Sequence, residues 1–323
     1  MNAPVVLLTY SRPEHTQAVI EALEKNCGAS DTDVYAYTCL HKNESVRGSV
    51  ERTKDLLRRY EKSSGFRSFT VIEKKEWVPL GPAMVTAVDF VIKEHGRVIV
   101  VEDDIVTSRD FLDFMNAALD HYQTDASVFS IGGYSAEIKG YAMPECGTYK
   151  VHRSCSWGWA TWSDRWEKYD HHAKDYPAHM MDRGFRRRMF KWMADLPMVM
   201  DSLFHEKGFF EKNWDPQFCY CQFINGMNTV CPVSSKVKNI GFDGTGSNPV
   251  PQGLGNTFRP DGHPWEFTDR AADDVFQKRY NRLFLYTARM RLMIRASNAL
   301  HALSPRLYYW SLKRYMKMGG RAI

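Results

Sequence analysis

The first residues, MNAPVVLLTYSRPEH, lack a basic leader followed by a long apolar stretch, so they do not read as a secretory signal. No apolar window reaches eighteen residues, and no helix that spans a bilayer is expected. The seven cysteines (27, 39, 146, 155, 219, 221 and 231) show no paired CxxC spacing, which predicts free thiols in a reducing cytoplasm. Cys219, Cys221 and Cys231 are the nearest approach to a zinc site and lack a fourth ligand. Two glycine loops are also missing. Without GxGxxG or GxxxxGK[ST], dinucleotide oxidoreductases and P-loop kinases or ATPases are excluded, and a nucleotidyltransferase is disfavoured. Acidic residues stop at Asp274. The remaining stretch holds eleven Lys and Arg, which leaves residues 1–274 with 38 acidic against 32 basic side chains. The formal net charge of +5 therefore belongs to the C-terminal segment.

What is present is a large aromatic content, 13% of 323 residues, and a β–α alternation through the first hundred residues. Strands are expected at 5–8, 34–40, 69–72 and 97–101, with helices at 14–25, 50–60 and 82–94. The run Val98-Ile99-Val100-Val101 is the most apolar strand, as suits a sheet covered on both faces. This predicts an α/β fold with a Rossmann-like mixed sheet flanked by helices. A nucleotide-binding half covers 1–124, and an acceptor half on the same sheet covers 125–274. A Gly/Pro-rich lid loop is expected over 241–264 and a basic helical tail over 275–323.

Chemistry should sit beyond the carboxyl ends of the strands. Glu102-Asp103-Asp104 follows the central strand directly, and three adjacent carboxylates repel one another unless a cation compensates them. Oxygen ligands suit Mn²⁺ or Mg²⁺, which bridge the phosphates of a nucleotide. The alternative is that these acids precede a helix capped by Ser108. At the end of the first strand, Thr9 and Tyr10 are placed to contact a donor nucleotide. Arg12 is either a phosphate ligand or a surface residue at a turn. Ser156-Trp157-Gly158-Trp159-Ala160-Thr161-Trp162 packs three indoles into a short run. If extended, it puts Trp157 and Trp159 on one face with Gly158 giving close access, an acceptor or sugar surface. A plain core cluster is the alternative for any single ring.

Taken together, VVLLTYSRPEH, VIVVEDDIVTSRDFLDFM, SWGWATWSDRW, NWDPQF and KVKNIGFDGTGSN resemble bacterial GT-A-fold glycosyltransferases of the family 2 type. The acidic triplet is also similar to that of N-acetylglucosaminyltransferase I. The resemblance spans about residues 3–250. It implies metal-dependent, inverting transfer of a hexosyl or N-acetylhexosaminyl group from a nucleotide-sugar, with UDP favoured, to a hydroxyl acceptor. It also implies Asp104 as direct metal ligand, Glu102 and Asp103 on donor ribose, sugar or metal-bound water, and Asp215 of Asn213-Trp214-Asp215-Pro216 as general base. Asp164 and Asp243 are reserves. Such sequences often close the GFDGTG stretch with a metal-binding histidine. Here Ser247-Asn248 stands in that place, so either the metal has one protein ligand plus waters or His263 serves from the lid.

The basic segment reads as two amphipathic helices separated by Ser304-Pro305 and rich in Tyr and Trp, a composition suited to an anionic membrane surface. Packing on the domain is the competing reading, and nucleic-acid binding is disfavoured. A peripheral enzyme on the cytoplasmic face of the inner membrane, acting on a lipid-linked or saccharide acceptor in surface polysaccharide or glycolipid synthesis, is the resulting expectation. The alternatives are a catalytically inactive sugar- or nucleotide-binding partner subunit, and a nucleotidyltransferase.

Overall fold

The computed structural model describes residues 2–138, 141, 143–206, 208–243, 257–268, 274–285 and 287–317. Most of the expected lid, 244–256, including Ser247 and Asn248, lies outside the described residues.

The chain opens with β1 (Val5–Leu8), α1 (Pro13–Glu24), β2 (Asp33–Thr38), α2 (Glu44–Lys62), β3 (Ser68–Glu73), α3 (Leu80–His95) and β4 (Arg97–Glu102). These match the expected elements within a few residues, except that α2 starts six residues early at Glu44. After a turn at Asp103-Asp104 come β5 (Ile105–Thr107), α4 (Phe111–His121), β6 (Val128–Gly132), β7 (Thr148–Val151) and β8 (Trp159–Trp162). Six helices follow: α5 (Ser163–Trp166), α6 (Tyr176–His179), α7 (Arg183–Trp192), α8 (Leu196–His205), α9 (Phe209–Lys212) and α10 (Asp215–Asn225). β9 (Asn228–Pro232), β10 (Val237–Asn239), α11 (Asp274–Leu283), α12 (Ala288–Leu303) and α13 (Pro305–Lys317) complete it.

One eight-stranded mixed sheet runs in the order β3-β2-β1-β4-β8-β6-β9-β7. The four strands from β3 to β4 are parallel, as short β–α–β crossovers require, and β8 runs antiparallel to both β4 and β6. The chain reverses direction of travel at β1, sending β2 to one side and β4 to the other. That creates a switch-point crevice between the carboxyl ends of β1 and β4. β5 and β10 form a separate antiparallel pair across that edge. One face of the sheet buries Leu7, Val101, Phe111, Met115 and Ile131. The other buries Val6, Val100, Met84, Val88 and Trp159, and a smaller cluster joins α7, α8 and α10.

Two expectations need correction. Ser108 does not cap a helix: α4 begins at Phe111 after Asp110, and the Ser108 hydroxyl donates to Asp110 Oδ1 at 2.6 Å. Asp110 in turn pairs with the buried ammonium of Lys236. The second concerns the C-terminal segment, whose basic helices are present as expected but pack on the domain, the competing reading, over part of their surface. Phe276 and Tyr280 of α11 are buried in the first core, and α13 is tied down through Tyr308 and Tyr309. Asp201, with no solvent exposure, accepts hydrogen bonds from the hydroxyls of Tyr176 (2.8 Å), Tyr308 (2.7 Å) and Tyr309 (2.7 Å), and from Arg186 Nη1 (2.6 Å). Arg186 also donates to Asn298 and Ser297 of α12. The tyrosines that looked like membrane-interface residues are therefore the polar lock between α13 and α8.

Candidate active site

Parallel pairing of β1 with β4, with Leu8 beside Glu102, sets the loop after β1 next to the acidic turn after β4. Arg12 therefore lies against the triplet. Its Nη2 donates to Asp103 Oδ1 and lies 3.0 Å from Asp104 Oδ2. Arg12 is thus the internal cation of this edge rather than a free surface residue. Burial pushes the Asp103 carboxyl up to about 6 although Arg12 opposes the rise. It also pushes Glu102 well above the ordinary range, with Asp104, Asp103 and then Asp215 adding to the effect.

Asp215, the first residue of α10, is solvent-exposed, yet desolvation raises its carboxyl. Exposure and desolvation coincide when a side chain sits in the wall of a concavity, open to water on one side only. Asp215 also stands near enough to Glu102 to raise its carboxyl, which puts the start of α10 in the neighbourhood of the β4 edge. Sequence reasoning missed the other charged pair here. Arg153 Nη2 donates to Asp195 Oδ1, and both act on Asp215, Arg153 lowering its carboxyl and Asp195 raising it. Forty-two positions separate the two, so no local motif announces them.

The other expected residues divide. Tyr10 is half-buried; its phenol oxygen accepts the Lys42 N–H at 2.7 Å, and the exposed Trp77 stands beside it past the ends of β1 and β3. Thr9 is buried, and its hydroxyl and N–H both donate to Tyr37 O, so it fastens β1 to β2. Trp157 is half-buried against Tyr134 and Phe242. Trp159 is a correction: at 1% exposure it packs among Trp166, Trp214 and Phe218 on the opposite face and cannot meet a sugar. The two indoles diverge because Gly158, at φ +61°, turns the chain before β8 starts. Gly158 is also corrected. A Cβ there would lie 2.9 Å from Val237 and 3.2 Å from Phe111, so protein rather than ligand fills that space.

Asp164 sits just past the Trp162 end of β8, which pairs with Arg97 at the far edge of the sheet, and it is bound to Arg165; it is no base for this cleft. Asp243 pairs with His15 at 3.2 Å. His263 is held elsewhere. Its N–H donates to Asp110, and its ring nitrogens lie 2.9 Å from Arg259 Nη1 and 2.8 Å from Glu145 O. No contact with the acidic triplet is present among the described residues, which corrects its assignment to the metal.

Does the triplet fit a divalent cation? No cluster of three or more His, Cys, Asp or Glu poised for one occurs among the described residues. Asp104 nevertheless fits as a single protein ligand. Its Oδ1 is buried without a hydrogen-bond partner, and its Oδ2 lies 2.1 Å from where a Cβ on Gly241 would fall, so only glycine leaves that oxygen room. A buried, unpartnered carboxylate oxygen beside two further carboxylates is the donor set a hard cation takes.

Fold and site together define an α/β protein with an acidic switch-point cleft. No protein-family model and no curated protein matches the chain. Among solved structures it is similar to S. aureus TarS 1-349, at 13% identity over 72% of this chain and 58% of that one, with a TM-score of 0.42. It is also similar to the glycosyltransferase GlyE of Streptococcus pneumoniae TIGR4, at 10% identity over 71% and 45%, TM-score 0.36. A UDP-glucose pyrophosphorylase complexed with UDP-glucose aligns at 8% identity over 74% and 92%, TM-score 0.34. The chain thus spans 58% of the TarS 1-349 structure, and these likenesses are distant ones of chain path.

Proposed function

We propose that the protein is an inverting glycosyltransferase that moves a sugar from a nucleoside-diphosphate donor, UDP-sugar first, onto a hydroxyl acceptor. The observation that supports this reading is the acidic turn at the carboxyl edge of the paired strands β1 and β4, with Arg12 against it and Asp215 near enough to raise the Glu102 carboxyl. The rings of Tyr10 and Trp77 suit a base, and Glu102 and Asp103 suit donor ribose or sugar hydroxyls. Arg12 is placed to exchange its carboxylate partners for a phosphate oxygen. Asp104 would hold Mn²⁺ or Mg²⁺, which when bound supplies charge neutralisation for the leaving diphosphate. Asp215 takes the acceptor proton as the hydroxyl attacks the anomeric carbon. In this reading Trp157 remains available to the acceptor side.

A thermal-shift screen of nucleotide-sugars with and without Mn²⁺, followed by product analysis, tests the proposal. A UDP-sugar that raises the melting temperature more with Mn²⁺ than without, and yields UDP on turnover, is the expected result. Release of inorganic pyrophosphate would replace transfer by nucleotidyl chemistry. Binding without any turnover would indicate an inactive partner subunit.

The pH profile follows from Asp215. Only its carboxylate accepts a proton, and its pKa stands above the ordinary Asp value, so kcat/KM should rise with pH through that raised pKa and then level off. An acid limb at or below the value of about 3.9 for a free aspartate would contradict the role.

No described helix is long and apolar enough to cross a membrane. We propose peripheral attachment through the outer faces of α12 and α13, where Leu303 and Trp310 are 74% and 57% exposed among Arg295, Arg306, Lys313 and Arg314. Substituting Leu303, Leu307 and Trp310 by Gln should abolish co-sedimentation with anionic vesicles while leaving the fold intact. Unchanged sedimentation would remove the anchor.

A further inference from the structure

A cavity of about 1040 Å³ opens between α7 and the pair α11–α12, away from the acidic turn. Six cations line it: Arg188, Lys191, Lys278, Arg282, Arg291 and Arg295. No carboxylate lines it, and none of the six forms an ion pair among the described residues. Arg188 also acts on Asp182 at the N-cap of the same helix, outside the cavity. Surface cations usually alternate with acids, and six cations on a lining without a carboxylate form a field that an anion neutralises. Two buried polar groups on the same wall lack partners: the indole N–H of Trp192, a donor, and the side-chain oxygen of Asn281, an acceptor.

Position gives the cavity its meaning. Its lining residues His152 and Ala194 directly precede Arg153 and Asp195, the ion pair that acts on Asp215. Arg153 also lies over the Phe284 ring at 4.4 Å, between α11 and the cleft. The cationic cavity therefore adjoins the ion pair that acts on Asp215.

We infer that this cavity binds the phosphate of a phosphorylated hydroxyl acceptor, holding it so that a hydroxyl of the same molecule reaches Asp215. The inference rests on the glycosyl-transfer reading for its role but not for the binding itself. Guanidinium and ammonium groups supply charge-assisted hydrogen bonds to phosphate oxygens, and several converging cations favour a phosphate or diphosphate over a neutral sugar.

Calorimetric titration of the full chain with inorganic pyrophosphate, and separately with UDP, tests it in wild type and in a Lys278→Glu/Arg282→Glu/Arg295→Glu variant. Pyrophosphate should bind the variant at least about tenfold more weakly, while UDP binds both alike. If the reversed charges prevent folding, the corresponding triple Gln variant gives the same comparison with a smaller loss. Equal pyrophosphate affinity in wild type and a folded variant overturns the inference. So does a parallel loss of UDP and pyrophosphate, which would place both anions at one site. If UDP fails to bind wild type while pyrophosphate still depends on the three cations, the chamber stands and the glycosyl-transfer reading falls. Competition by glycerol 3-phosphate identifies a soluble acceptor, and competition by dihexanoyl phosphatidic acid alone identifies a lipid headgroup. Competition by neither overturns the inference.

Discussion

Asp215→Asn should lower kcat by about 10²–10⁴-fold, the usual cost of a lost general base, with no loss of UDP affinity. Asparagine keeps the size of the side chain and its place at the start of α10, but it cannot take up a proton. The structure adds a second consequence. Asp215 helps raise Glu102, so removing its charge should let Glu102 ionise more readily and leave the donor edge slightly more negative. Donor binding in the presence of Mn²⁺ should then be equal or modestly tighter, while transfer collapses. Asp104→Ala serves as the contrast, because it removes the proposed cation ligand and should weaken Mn²⁺-dependent UDP binding. Calorimetry with UDP and Mn²⁺ alongside single-turnover transfer separates the two roles. If Asp215→Asn weakened UDP as much as Asp104→Ala does, Asp215 would belong to the donor site and not to proton transfer.

How legible this was in the sequence depended on how local the determining contacts are. The apolar runs made β1, β2 and β4 legible because these strands are buried on both faces, whereas the edge strand β3 is largely open to solvent and was marked only by its place in the β–α alternation. Glu102-Asp103-Asp104 was legible for the same reason, a charge run ending an apolar strand. The aromatic run 156–162 was only half legible. Its composition is visible, but whether Trp157 and Trp159 share a face depends on one backbone dihedral, at Gly158, which composition does not reveal. Arg153, Asp195 and the chamber beside them were invisible because their partners lie more than forty positions away. The C-terminal helices were legible as helices but not in their packing. Tyr308 and Tyr309 look alike whether they face a headgroup region or a buried carboxylate, and the carboxylate, Asp201, is more than a hundred positions upstream.

That carboxylate leads to the largest expected change in stability. Asp201 is fully buried, its charge is opposed by Arg186 at 2.6 Å, and three tyrosine hydroxyls fill its remaining acceptor sites. A buried pair of this kind gains little net energy over an apolar replacement, but losing one partner strands the other charge in a poor dielectric. Asp201→Asn leaves Arg186 uncompensated and turns an amide N–H₂ toward groups that donate to the native carboxylate. The expected cost is roughly 3–5 kcal/mol, a drop of roughly 10 °C in melting temperature for a domain of this size. Tyr308→Phe and Tyr309→Phe remove one hydrogen bond each and should cost only about 1 kcal/mol apiece. Because the lock joins α8 to α13, the loss should show first as proteolytic release of the C-terminal helices rather than as collapse of the sheet. The acidic cleft has its own supports on β1, β4 and α10, so UDP binding should survive at temperatures below the melt. A wild-type melting curve and an intact C-terminus in Asp201→Asn would mean that α12 and α13 are held by apolar contacts alone.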